Sequence, residues 1–476
     1  MLPDTARPYR NGTVSTPGTH PDGASAAGAE PAGAEPAGAE AAPGAEALEP
    51  PSPGPRQLPV ASVLLTSRPR VRPGGSRLTI SDSPQAPERS ATAVRLAALL
   101  ATVTGLALAA YGLTLPHALL GVHDYDDGVY FGAALRLVDG VAPYRDFVLP
   151  HPPGIALLLA PIALLGRAIG SDDALAVARC LTVLVAGLNC GLVALALRHR
   201  GPIASLAGGL ALACFPYAVT ADQTVLLEPY LAFACLLGTV LAFPEGELAT
   251  GRRAVLAGVV FGLAGCIKIW AAFPVIALLL VTAPRWRQSG TRLLAGVVAG
   301  FAVPCLPFAA LAPGTFFHDI VVDQVLRGAG SAGYGIATRL GELSGISALA
   351  SHLHPSGLVP IATVLAVLAG WSYLLLGRRA RACDWFLLLA AVISLAAVLL
   401  AREFYEYYTY FPAVFVAGVV GVCAGRWGEL LGALVGRLRT SSPLSPPEPP
   451  TPAGGTDSPR PASGGEGGGS APRWPA

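Results

Sequence analysis

The strongest constraint in this sequence is a succession of apolar runs, most near the length of a membrane-crossing helix, with short charged segments between them. A helix needs about 20 apolar residues to cross a bilayer, and somewhat fewer where it stays inside protein. The stretches that read this way are Leu96 to Leu115, Ala174 to Leu197, Ile203 to Thr220, Val225 to Phe243, Ala254 to Ile267, Ile269 to Val281, Leu293 to Leu311, Leu358 to Leu376, Trp385 to Leu400 and Tyr407 to Ala424. Hydrophobic residues make up 53% of the sequence and charged residues 13%; a soluble chain carries about 25% charged residues. So much apolar surface has to face lipid. The expected fold is all-α, a polytopic membrane helical bundle of about 10 spans.

Both ends differ from this middle. Residues 1–92 are rich in Ala, Gly, Pro and Glu, and the repeat AGAEP, as at Ala32–Pro36, recurs there. Such composition cannot bury enough surface to offset ordering entropy, so a disordered segment is expected. It has no apolar run near Met1, so it does not read as a signal peptide. Residues 440–476 are rich in Pro, Ser and Gly and read the same way. The membrane domain is thus 93–439. The net charge of +2 implies no nucleic-acid partner. The eight cysteines lie in apolar stretches without CxxC spacing, which suits packing and not a disulfide frame or zinc site.

Arginine placement orients the chain. The run Gly154 to Leu165 is apolar but short, and it reads as a re-entrant or interfacial helix. If it does not cross, the arginine clusters at 68–95, 198–200, 252–253, 285–292, 378–381 and 426–439 all fall on one side. By the positive-inside rule that side, with both termini, is cytoplasmic. Four segments then lie outside: His117 to Pro153, Ala221 to Glu228, Pro313 to Pro355, and Arg402 to Tyr408. They hold nearly all the unusual polar residues.

The first outer segment opens with Asp124, Asp126 and Asp127. These acids suit a general base, a divalent-cation site, or a solvated loop with helix caps. Val129, Ala133, Leu135 and Leu137 then mark a short amphipathic helix on the membrane surface. PYRDF, with Asp146, and HPPG, with His151, follow as stiff extended chain. Glu228, in LLEPY, is a carboxylate at a span start. It reads as a cavity-facing group or as an acid favoured by the helix dipole.

Lys268 is the one lysine in the chain and lies between two short apolar runs. An intramembrane ammonium can meet a phosphate oxygen as a point charge, or snorkel to the interface. In the third outer segment Phe316, Phe317, Ile320, Val321 and Val325 form an apolar stripe. His318, Asp319, Asp323, Gln324 and Arg327 then face a cavity or water, and His352 with His354 is a weak metal signal. The turn REFYEYYTYFP sets Arg402, Glu403 and Glu406 beside Tyr405 and Tyr408, as an interfacial belt or a sugar-stacking site.

In order and in shared side, these motifs resemble the GT-C membrane glycosyltransferases. The resemblance is to the branch similar to protein O-mannosyltransferases and the lipid A aminoarabinose transferase. It rests on DDGVYFGAALRLVDGVAPYRDF with HPPG, on LLEPY, on the lysine between short helices, and on the tyrosine-rich turn before Pro412, and it covers roughly residues 96–424. It implies inverting transfer of a sugar from a polyprenyl-phosphate carrier to an acceptor on the outer face. The catalytic pair would be Asp126, the base, and Asp127, where the family has Glu or a similar acid. Lys268 would hold the carrier phosphate. Glu228, Asp146, His151, Gln324, Arg402, Tyr405 and Tyr408 would complete the substrate site. A divalent cation at the outer face is compatible with the acids. No large soluble domain follows the spans, so the acceptor (a glycan, lipid or protein) is left open. Arg-rich, Ala-rich and Lys-poor usage points to a high-GC bacterium and its plasma membrane.

The main alternative is a lipid or glycolipid transporter or flippase. It would use the same intramembrane charges, but with internally repeated halves and broken helices near mid-membrane. No repeat is visible in the membrane region, and the polar residues gather at one face.

Overall fold

The computed structural model describes residues 85–121, 125–326, 335–349 and 355–440, all within one compact unit that starts at Thr79. Asp124, Arg327, His352, His354 and most of both expected disordered ends lie outside the described residues. The described chain is helical. In order, its helices are α1 (Gln85–Leu113), α2 (Tyr125–Val138), α3 (Gly154–Ile169), α4 (Ser171–Ala196), α5 (Pro202–Ala213), α6 (Pro216–Ala221), α7 (Leu227–Ala242), α8 (Gly251–Ile267) and α9 (Ala272–Thr282). There follow α10 (Thr291–Leu311), α11 (Pro313–Phe317), α12 (Asp323–Leu326), α13 (Ile336–Ser344), α14 (Ile346–Leu349), α15 (Pro355–Leu376), α16 (Ala382–Leu399) and α17 (Tyr410–Thr440).

A helix stands at every apolar stretch named above. Five helical stretches among the described residues are long and apolar enough to cross a membrane: Ser90–Leu113, Ser171–Ala196, Ile269–Leu311, Ala382–Leu399 and Glu406–Leu438. Shorter apolar helices cover Gly154–Ile169, Pro202–Ala213 and Leu227–Ala242. The stretch expected from Ile203 to Thr220 is broken into α5 and α6. Pro216 opens α6 after an extended Phe215, because proline cannot continue the i→i−4 ladder of the helix before it. The expected surface helix of the first outer segment also differs. It begins at Tyr125, so Asp126 and Asp127 form its first turn, and it buries Tyr130, Phe131 and Ala134 against the bundle core.

Small residues let the helices approach. Along α8 and α10, Gly258 and Gly262 face Gly296 and Gly300. A Cβ built on any of the four would come within 2.1 to 2.3 Å of a carbonyl oxygen of the other helix. This small-xxx-small seam replaces the hydrophobic drive that lipid cannot supply. It runs parallel, so α9 must return between the two helices. The connection between α8 and α9 is one extended residue, Lys268 (φ −150°, ψ 134°), followed by a single 3-10 turn, Ile269–Ala271.

Two polar clusters mark opposite ends of the bundle. At one, Asp384 accepts from His199 Nε2 at 2.9 Å, from Arg200 Nε at 3.1 Å and from the Arg381 amide at 2.6 Å. This buried knot ties the α4–α5 turn to the start of α16. The other end, where α1 finishes and α4 starts, carries the remaining polar cluster.

Candidate active site

The site is assembled from helix starts and one broken turn. A helix N-terminus favours a carboxylate, because its first amides have no partners within the helix. Asp126 and Asp127 occupy such a place on α2, and Glu228 on α7, where Pro229 fits the first turn. Asp126 is half-buried. Its Oδ2 accepts the Tyr407 hydroxyl at 2.8 Å, and the Tyr130 hydroxyl lies 3.5 Å away. Asp127 turns the other way. It is 2% exposed, and its Oδ2 accepts from Arg179 Nη2 at 2.6 Å and from the Thr224 hydroxyl at 2.7 Å. Arg179 also donates to the Leu119 carbonyl at 2.6 Å, which fixes the chain that leaves α1.

Lys268 and Glu228 meet. The ammonium donates to Glu228 Oε1 at 2.6 Å, with both side chains out of solvent. It also lies 3.9 Å from the ring centre of Trp270 and 4.3 Å from that of Tyr408. A carboxylate and two π faces thus replace the water lost by this cation. Tyr408 sits edge-on to Tyr407, and Tyr405 stacks on Tyr407. One tyrosine turn therefore joins the Asp126 carboxylate to the Lys268 ammonium.

The HPPG loop supports this turn from beside it. Gly154 lies where a Cβ would come 2.5 Å from the Cys266 carbonyl oxygen, just before Lys268. Only glycine lets α3 start there. His151 is buried with its ring 5.9 Å from that of Tyr130, and its carbonyl accepts the Tyr144 hydroxyl at 2.7 Å. The segment from Pro313 to Leu326 clamps the same loop. Thr315 donates to the Tyr144 carbonyl at 2.7 Å, Asp319 accepts from the Leu149 amide at 3.3 Å, and Gln324 donates to the Pro150 carbonyl at 2.6 Å. Asp146 folds its own turn. It accepts from Arg145 at 2.7 Å and from the Ala142 amide at 2.7 Å, and these bonds, Arg145 first, hold its carboxyl down to about 2.

The family model for glycosyltransferase family 87 matches residues 149–402, more than half of the chain. The chain belongs to glycosyltransferase family 87. It is accordingly a GT-C membrane glycosyltransferase. The matched region contains Lys268, Glu228 and Arg402, whereas Asp126 and the tyrosine turn flank it. The crystal structure of ArnT from Cupriavidus metallidurans bound to undecaprenyl phosphate is similar, with 19% identity and a TM-score of 0.48. The similarity covers 71% of this chain and 63% of that one, so this chain spans less than two thirds of that protein's length. No curated protein matches.

Several site residues of this family 87 chain escaped the sequence reading. Arg179 is wholly buried in α4; an arginine inside an apolar 26-residue helix was a visible signal. Tyr407 was passed over among its tyrosine neighbours, and Trp270 carried no signal apart from its place after Lys268. Of the expected residues, Asp126, Glu228, Lys268, Tyr405 and Tyr408 come together. Asp127 does not: it turns away to Arg179 and Thr224. Asp146 is taken up by the Arg145 side chain and the Ala142 amide, Gln324 by the Pro150 carbonyl, and Arg402 is exposed. His318, Asp319 and Asp323 offer ligand atoms within 4.8 Å of one another, a spacing that suits a shared cation, beside the loop and not on the tyrosine turn.

Proposed function

We propose that this family 87 protein transfers a sugar from a polyprenyl-phosphate carrier to an acceptor hydroxyl, with inversion, on the outer face of a bacterial plasma membrane. The observation that carries this reading is the tyrosine turn, with a hydrogen-bonded carboxylate, Asp126, at one end and a caged ammonium, Lys268, at the other. The acceptor oxygen attacks the anomeric carbon from the side opposite the phosphate. As that bond forms, the bond from the anomeric carbon to the phosphate oxygen breaks. Asp126 takes the hydroxyl proton, and the electron pair leaves with the carrier phosphate. A phosphate is a fair leaving group, so a base and a cation suffice for the chemistry. Lys268 has three N–H donors and gives one to Glu228; the other two, now beside the Trp270 and Tyr408 rings, are the ones a phosphate oxygen would take in their place.

In this reading Asp127 is a positioning residue and not a reacting one, because Arg179 and Thr224 enclose it. About 10 spans cross, α3 enters and leaves on the same side, and both termini are cytoplasmic. The arginine clusters support this orientation. Residues 93–439 form the catalytic domain, flanked by the two polar terminal segments.

The test uses purified protein in lipid, offered polyprenyl-phosphate sugars and a panel of acceptors, with mass spectrometry of the carrier. Sugar loss by the parent and none by Asp126→Asn is expected. Carrier binding without sugar loss from any donor would overturn the reading in favour of a transporter.

A further inference from the structure

A second carboxylate lies beside the tyrosine turn, and the chemistry above leaves it unused. Glu342 sits in the last turn of α13 and is only 8% exposed. Its neighbour Leu343 packs into one apolar cluster with Val398, Phe404 and Tyr408, bordered by Trp270 and Tyr407. The helix therefore rests on the same turn that holds Asp126 and Lys268. It is fixed there by its end: Gly345 takes φ +69°, a conformation open to glycine, and packs against Phe215 and Pro216. The chain then doubles back so that Ser347 hydrogen-bonds the Glu342 carboxylate.

Among the described residues, Glu342 Oε2 has no hydrogen-bond partner, and Glu342 makes no ion pair. Arg339, one turn earlier, donates to the Leu399 carbonyl at 2.9 Å and to the Ala401 carbonyl, and lies over the Phe404 ring. The charge that acts on Glu342 is another carboxylate, the exposed Glu406. A buried carboxylate oxygen without a donor is costly and rare in folded proteins. The cost is met when a ligand brings the donors.

We infer that Glu342 and Glu406 bind the hydroxyl groups of a neutral glycan, which is the acceptor if the transferase reading holds. Two carboxylates repel a phosphate, so the carrier lipid belongs at the Lys268 end of the turn and an uncharged partner at this end. Hydroxyl groups supply donors without charge. Tyr405, 40% exposed and edge-on to Tyr408, offers an aromatic surface for the C–H face of a sugar ring. Through Tyr407 this end of the turn leads to Asp126, where an acceptor hydroxyl has to arrive.

The test is ligand-observed NMR with a panel of neutral di- and trisaccharides of mannose, galactose and arabinose, on the purified full chain in lipid. The parent is expected to bind at least one panel member. Glu342→Ala should weaken binding by about tenfold or more, as for lost hydrogen bonds to a charged group. Glu342→Gln, which keeps the shape, should weaken it less, and Glu406→Gln, at an exposed position, should also weaken it. In transfer assays, Glu342→Gln should raise the acceptor KM and leave the donor KM unchanged. No binding of any panel member by the parent would overturn the inference. So would equal binding by Glu342→Ala, or binding that a chelator abolishes. Glycan binding that depends on Glu342, without sugar transfer from any donor, would refute the transferase reading alone. Transfer by a Glu342→Ala protein with an unchanged acceptor KM would refute this inference alone.

Discussion

Arg179 Nη2 lies 2.6 Å from Asp127 Oδ2, and neither side chain is more than 3% exposed. The pair joins α4 to the first turn of α2 and so sets the direction in which the neighbouring Asp126 points. Removing one partner of a buried pair strands the other charge, at a cost of about 3–5 kcal/mol. Asp127→Asn and Arg179→Met should each lower the unfolding temperature in detergent strongly. The double variant should recover part of the loss, since no charge is stranded. If Asp127→Asn unfolds like the parent yet has no transfer activity, the residue is a reacting group and the positioning role is wrong.

Tyr407 should control Asp126 without being needed for folding. Its hydroxyl donates to the carboxylate at 2.8 Å, and a donated hydrogen bond favours the charged form. Tyr407→Phe removes that bond and keeps the ring stack on Tyr405. The transfer rate should fall by about tenfold, the order of one hydrogen bond to a charged group. The acid limb of the pH–rate profile should move to higher pH, because the carboxylate then holds its proton more tightly. An unmoved acid limb would show that Asp126 is not the titrating base.

The Lys268–Glu228 pair separates folding from donor use. Glu228→Gln leaves the ammonium with two aromatic rings and a neutral amide, so stability should drop by about 3 kcal/mol. Lys268→Met with Glu228→Gln removes both charges. That double variant should fold in the membrane and fail to use the polyprenyl-phosphate donor. Normal donor use by it would remove Lys268 from phosphate binding.

The helices and the site were not equally legible in the sequence. Apolar runs bounded by arginines located the helices, because lipid demands long continuous apolarity. The break between α5 and α6 was missed although Pro216 was in view. Lys268 and Glu228 were each singled out, but nothing local in the sequence links residues 40 apart; packing of α7 on α8 does. Arg179 was in view as an arginine inside an apolar helix, but its partner Asp127 lies 52 residues away and only the fold brings them together. Glu342 lay in a short amphipathic stretch, with Ile336, Leu340 and Leu343 at helical spacing, that was not read as a helix. The α8–α10 glycines carried a readable GxxxG spacing on both helices, and that spacing was overlooked.

That seam gives a structural prediction. Gly258→Leu or Gly300→Leu would push a side chain into the facing backbone, where even a Cβ comes within 2.1 or 2.2 Å of a carbonyl oxygen. The helices would have to separate, which would move Cys266, Ile267 and with them Lys268. Little folded protein is expected from either variant. Gly265→Ala, next to the Phe301 side chain at 3.2 Å, should be tolerated far better. Equal yields of folded protein from all three, by size-exclusion chromatography, would show that the close approach does not hold the bundle.

Glu342 should also leave a mark on stability. Burial, then the charge of Glu406, pushes its carboxyl from 4.5 up to about 7. Below pH 4.5 the group is protonated in both folded and unfolded chains and contributes no difference. Between 4.5 and 7 the folded chain still holds the proton and the unfolded chain has lost it, so stability falls as pH rises. Above 7 the full penalty is present, on the order of 3 kcal/mol. Glu342→Gln has no proton to lose. Its unfolding temperature should therefore match the parent's at pH 4.5 and exceed it by several degrees at pH 8 in the absence of glycan. Parallel pH profiles for the two proteins would mean that solvent reaches the carboxylate, and the cost that a glycan is proposed to relieve would not exist.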